Sequence, residues 1–174
     1  GPFASYESAQ SMAISLQNNG IKSIISHPKD WELWISKDIN IPNAIKSSLV
    51  TLTISEEVKP FLKGRSGEIL LQGPIQVDAP DGLVWNGGIY SGPFVLKQDA
   101  YGSWTLIEKV QLERYLHGVV PYEIGSSAPI AAMSAQSVLA RTWALSNLKR
   151  FAVDGYHLCS DTQCQVYKDP SRAN

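Results

Sequence analysis

The chain has 174 residues, 44% of them apolar, and carries 15 Lys+Arg against 16 Asp+Glu for a net charge of −1. That is enough apolar material for a real core, in one domain or two small ones. A balanced charge with no basic stripe argues against nucleic acid as a partner, and no apolar run approaches the ~18 residues of a membrane span.

Gly1-Pro2 reads as the scar left when an expression tag is cleaved off, so a native targeting segment is expected to have been removed. Ala9, Met12, Ala13 and Leu16 follow helical spacing, so residues 6–18 are expected to form an amphipathic helix stopped by Gly20. Ser23–His27 and Glu32–Ser36, separated by Pro28-Lys29-Asp30, read as a hairpin. Pro42 opens a second short helix to about Ser48, and Val50–Ser55 reads as a strand. This element order resembles the latter part of a SPOR-type fold, a module that binds peptide-stripped glycan. An ordinary α+β lobe packed against the rest of the chain is the preferred reading, since the resemblance rests on element order and not on a motif. Residues 1–63 are taken as this N-terminal lobe and 64–174 as a second, larger domain.

Between residues 64 and 110 Gly, Pro and Asp punctuate short runs such as EILLQ, IQVD, LVW, FVLK and WTLIEKV. They read as short antiparallel strands. Trp85, Tyr90, Tyr101 and Trp104 fall among them and are assigned to the core rather than to sugar stacking. Pro121 should turn the chain, leaving Glu123 on a shaped connector before Ser126 or Ser127 caps a new helix. From about Pro129 to Ala152 apolar residues lie nearly all round one long helix, which predicts burial on most faces. Gly155 ends it. The expected fold class is α+β, a mainly antiparallel sheet packed around that buried helix.

Three blocks carry a resemblance. They are Leu112-Glu113 with Tyr115-Leu116, Gly118-Val119-Val120-Pro121 and Glu123; Ala135-Gln136 with Val138 and Ala140-Arg141-Thr142; and Leu158-Cys159 with Cys164-Gln165-Val166-Tyr167. In this order they resemble the SpoIID/LytB family, named after stage II sporulation protein D. Ile124, Ala128, Ser134, Trp143 and Gln163 depart from the family pattern. The resemblance implies a peptidoglycan lytic transglycosylase of the cell envelope, periplasmic or extracellular, that cuts the MurNAc–GlcNAc bond of peptide-stripped glycan. Some relatives are amidase enhancers, so an adaptor for a cell-wall amidase, or a non-catalytic glycan-binding module, is the alternative. Relatives usually continue past the CQVY block with further strands, so a C-terminal part is expected to be missing here.

A single carboxylic acid can protonate a leaving glycosidic oxygen. Hydrolysis normally asks for a second carboxylate. A lytic transglycosylase does not, because the C6 hydroxyl of muramic acid attacks its own anomeric carbon. Under the resemblance Glu123 is the sole acid and base. Arg141 either clamps substrate, orients Glu123 or satisfies backbone carbonyls. Gln136 lies about 140° from it on an ideal helix and serves a different face. Gln165 and Tyr167, on an expected strand, are aimed at the glutamate with Val166 in the core. Tyr122 or Tyr115 supplies a second aromatic platform, so Glu123 and Tyr167 should share one cleft wall. His117 is a packing or surface residue rather than an acid. No cofactor is expected. Cys159 and Cys164 suit a disulfide or free thiols; a structural zinc on His157, Cys159 and Cys164, which some relatives have, would need a fourth ligand such as Asp161.

Overall fold

The computed structural model describes residues 1–41 and 59–172. Helix α1 spans Tyr6–Asn18, the range the apolar spacing predicts. Ser5 starts it with a reciprocal capping box to Ser8. Gly20, at φ 77°, follows its end. Strands β1 (Ser23–Ser26) and β2 (Glu32–Ile35) form the expected antiparallel hairpin, with Ser23 opposite Ile35 and Ser26 opposite Glu32. The helix and strand expected over 42–55 lie outside the described residues.

The glycine-punctuated segment becomes a series of short antiparallel strands. β3 (Phe61–Gly64) pairs with β4 (Gly67–Leu70), and β6 (Leu83–Trp85) with β7 (Gly88–Tyr90). β5 (Ile75–Val77), β8 (Phe94–Gln98) and β9 (Trp104–Glu108) make a three-stranded sheet in the order β5-β8-β9. The architecture is α+β, and every described strand pairing is antiparallel. The core assignment fails at Trp85, which is 60% exposed at the tip of the β6–β7 hairpin. Two-stranded hairpins have one face too many for the core available to them.

Helix α2 runs over Leu112–Ile124 and helix α3 over Ile130–Ser146. Two expectations are corrected here. The chain does not turn at Pro121, which sits inside α2. Its missing N–H costs the bond back to the carbonyl four residues earlier, yet the helix continues to Ile124. The bend comes at Gly125, with φ 87°, and Pro129 rather than a serine occupies the cap of α3, with no side-chain cap bond. Nor is α3 a long buried helix. It stops at Ser146, and Ala140 and Ala144 are its buried residues, while Ile130 is 84% and Leu139 64% exposed. An apolar circumference is buried only if neighbours surround it. Here α2 packs along one side, through the small residues that let the two helices approach.

Two clusters form the core. The first joins Tyr115, Leu116, Val119 and Val120 of α2 to Ala140 and Ala144 of α3, with Tyr167 and Leu158 against it. The second joins Tyr6 and Ala9 of α1 to Trp31 and Phe151, with Tyr156, Cys159 and Cys164 alongside. The N-terminal segment therefore shares a core with the region of the cysteine loop. Arg150, buried, fastens the two. Its guanidinium lies 4.6 Å from the Tyr6 ring centre and 5.2 Å from that of Trp143. It pairs with Glu7 and donates to the Gln163 carbonyl at 3.4 Å. A buried cation needs such partners on every side.

Candidate active site

Glu123 stands at the exposed C-terminal end of α2, on the helix face that upstream carries Leu116 and Val119 into the core. Its Oε1 accepts the main-chain N–H of Val166 at 3.0 Å. That bond joins the first and third motif blocks, 43 residues apart in sequence.

Segment 165–169 reaches α2 because of Gly118. A Cβ there would stand 2.4 Å from the Tyr167 ring and 2.6 Å from the Lys168 carbonyl oxygen, well inside contact distance. With hydrogen in its place, the Lys168 N–H donates to the Gly118 carbonyl at 2.9 Å. The segment therefore bonds to a helix carbonyl and not to a strand ladder. That is why it is not the strand that its alternation suggested. The Tyr122 hydroxyl donates to the Asp169 carbonyl at 2.8 Å. Asp169, buried, accepts from the Ile89 N–H at 2.8 Å and from Ser171. Burial works against its ionised form, but these donors outweigh it and hold the carboxyl below the usual range.

Gln165 is buried, and its Oε1 accepts the Tyr115 hydroxyl at 3.1 Å. Burial pushes that phenol up to about 12, with the negative charge of Glu123 adding to the effect. The carbonyl end of the amide is thereby fixed, and its NH₂ has no partner among the described residues. Tyr167 stacks on Tyr115 with ring centres 5.3 Å apart and donates to Glu108 Oε2 at 2.9 Å. Burial, then Glu108, raises its pKa.

The predicted site residues separate into groups. Glu123, Gln165 and Tyr122 gather where the end of α2 meets segment 165–169. Tyr167 lines a cavity whose lining does not include the glutamate. Arg141 does not reach Glu123; its Nε and Nη2 fork onto Glu113 at 3.0 and 2.7 Å, on a partly exposed flank of the helix pair. The fork lowers the pKa of Glu113 and raises that of Arg141. Gln136 is half-buried on α3. Cys159 and Cys164 are joined as a disulfide, and His157 is exposed. Among the described residues no cluster of three or more His, Cys, Asp or Glu side chains is placed to hold a metal ion. Sequence reasoning passed over Glu113 as the partner of Arg141. The signal was present, as two motif blocks on neighbouring helices each carry one charge of opposite sign.

An α+β domain that binds the third block to the glutamate of the first is the class this site defines. Residues 100–174 match the SpoIID family model, described as stage II sporulation protein. The family is associated with cell-wall lytic activity. The chain is also 29% identical over 103 residues to an uncharacterized protein of Brachyspira hyodysenteriae (strain ATCC 49526 / WA1). That match covers 58% of this chain and 27% of the relative, so the chain spans about a quarter of the relative's length. No solved structure matches. Among the described residues no helix is long and apolar enough to cross a membrane.

Proposed function

We propose that this protein is a lytic transglycosylase of the cell envelope that cleaves the MurNAc–GlcNAc bond of peptide-stripped glycan, with Glu123 as acid and then base. The observation that carries the reading is the bond from the Val166 N–H to the Glu123 carboxylate, which ties the CQVY block to the helix-end glutamate. The remaining motif acid, Glu113, is engaged by Arg141, and a one-carboxylate mechanism suits that arrangement.

In the reaction Glu123 gives its proton to the glycosidic oxygen as the bond from that oxygen to the muramic anomeric carbon breaks. The C6 hydroxyl oxygen of the same sugar bonds to that carbon, and Glu123 takes up the hydroxyl proton. The products are a 1,6-anhydro-MurNAc end and a free GlcNAc 4-hydroxyl. No water is consumed, and Glu123 is regenerated protonated. The Val166 N–H stabilises the carboxylate between the two steps. The Gln165 NH₂, with no partner among the described residues, donates to a sugar acceptor. Tyr122, its hydroxyl already engaged, offers its ring as a platform. Glu123 is solvent-exposed in the free protein, so the bound glycan supplies the exclusion of water that the chemistry needs.

Glu123→Gln keeps the side-chain shape and removes the proton. Turnover on denuded glycan should fall by about 10² or more, the loss typical of a general acid, with the thermal midpoint unchanged. Near-full turnover in this variant would remove Glu123 from the mechanism.

A further inference from the structure

The Lys168 side chain has no part in the reaction above, yet it lies on the residue that precedes the acid. Its main-chain N–H donates to the Gly118 carbonyl at 2.9 Å. Gly118 and Tyr122 are four residues apart and so share a face of α2. The Lys168 ammonium stands 5.5 Å from the Tyr122 ring centre, within cation–π range. Tyr122 and Glu123 are consecutive, with Cα atoms about 3.8 Å apart. Neighbouring cations are already taken. Arg141 forks onto Glu113, and Arg172 pairs with Asp169 at 3.7 Å. Asp169, next in the chain, gives its carboxylate to Ile89, Ser171 and Arg172. Lys168 is exposed and in no ion pair among the described residues.

We propose that Lys168 is a specificity-determining residue that binds the lactyl carboxylate of muramic acid and so selects strands that have lost their peptides. This rests on the reading of Glu123 as the acid of a glycan-cleaving site. The lactyl arm hangs from C3 of muramic acid, two ring carbons from the anomeric carbon where the bond breaks. It therefore ends within a side chain's reach of the acid. In a peptide-bearing strand its carboxyl is an amide and carries no charge. Removal of the peptide leaves a carboxylate, and a cation placed there separates the two by charge. The ammonium sits on a flexible four-carbon stem and rests on the Tyr122 ring while the site is empty. A carboxylate is the stronger partner, so it draws the ammonium off the ring and leaves that face to the sugar. The bond from the Lys168 N–H to Gly118 keeps the main chain in place during the exchange.

The test compares two soluble glycans of equal length: peptide-free strands, and the same strands with their lactyl carboxylates converted to N-methylamides. Binding to the chain is measured by isothermal titration, and cleavage by the rate at which anhydro ends appear. The parent should bind and cut the carboxylate strand about fivefold or more better than the amide, the scale of one exposed ion pair, and the preference should shrink as salt rises. Lys168→Met keeps the stem and removes the charge. It should bring the ratio close to one, through loss on the carboxylate strand. Lys168→Arg should keep the preference, and Lys168→Glu should invert it. Equal binding of the two strands by the parent, or an unchanged ratio in Lys168→Met, would overturn the proposal. So would an equal loss on both strands in that variant, which would make Lys168 a structural support of Tyr122. If the binding ratios hold but no anhydro ends appear, selection by Lys168 stands and the reaction assigned to Glu123 fails. Failure to bind either strand would overturn both.

Discussion

At position 118 a hydrogen in place of a methyl group decides whether the CQVY segment can lie against α2. Gly118 is not in a left-handed conformation, so its role is space: the Tyr167 ring and the Lys168 carbonyl occupy the volume a side chain would fill. Gly118→Ala should destabilise the fold by about 1–3 kcal/mol, as overpacking does. It should also lower activity on glycan, because Val166 hangs from the displaced segment. Denaturant unfolding and a turnover assay check this together; a variant as stable and active as the parent would contradict the account. At this scale much was legible. Glu123, Gln165 and Gly118 all stood in the motif blocks. What the sequence could not supply was direction. Alternation could not show that the Tyr167 ring is held by Tyr115 and Glu108, through stacking and a hydrogen bond from distant parts of the chain. Arg141 was left open between a substrate clamp, a partner of Glu123 and a structural cation, and it is Glu113 that captures it.

Among the elements, α1 and the β1–β2 hairpin were readable because caps, turns and periodicity agree there. Helix α3 was misread for a physical reason. A sequence shows that a helix is apolar all round but not how many neighbours it has, and in this structure it packs on α2. Substitution separates the two descriptions. Ala144→Leu forces a larger side chain into the α2–α3 contact and should cost about 1–3 kcal/mol. Leu139→Gln, on a face that is 64% exposed, should stay within about 0.5 kcal/mol of the parent. A Leu139→Gln loss as large as a core substitution would mean that this face is covered in solution. The run through Pro121 makes a similar point: helix α2 continues past the proline to carry Glu123 itself, and no separate connector is needed.

For the molecule as a whole, the N-terminal segment and the cysteine loop share one core around Trp31 and Phe151, fastened by Arg150. No local pattern announces that pairing, since its members lie more than a hundred residues apart. The disulfide closes the loop that leads into Gln165 and Val166. Protein purified without chelator should therefore be lighter before reduction than after by the two thiol hydrogens, and should contain well under one zinc per chain. Stoichiometric zinc that survives dialysis would instead make His157, Cys159 and Cys164 ligands. The central claim is the reaction, and its product identifies it. Purified peptide-free glycan is incubated with the chain and with Glu123→Gln, and the released fragments are weighed by mass spectrometry. The account predicts 1,6-anhydro-MurNAc ends from the parent protein and none from the variant. Reducing ends would show a hydrolase, and an unchanged glycan would show a binding module or an amidase adaptor; either result contradicts it.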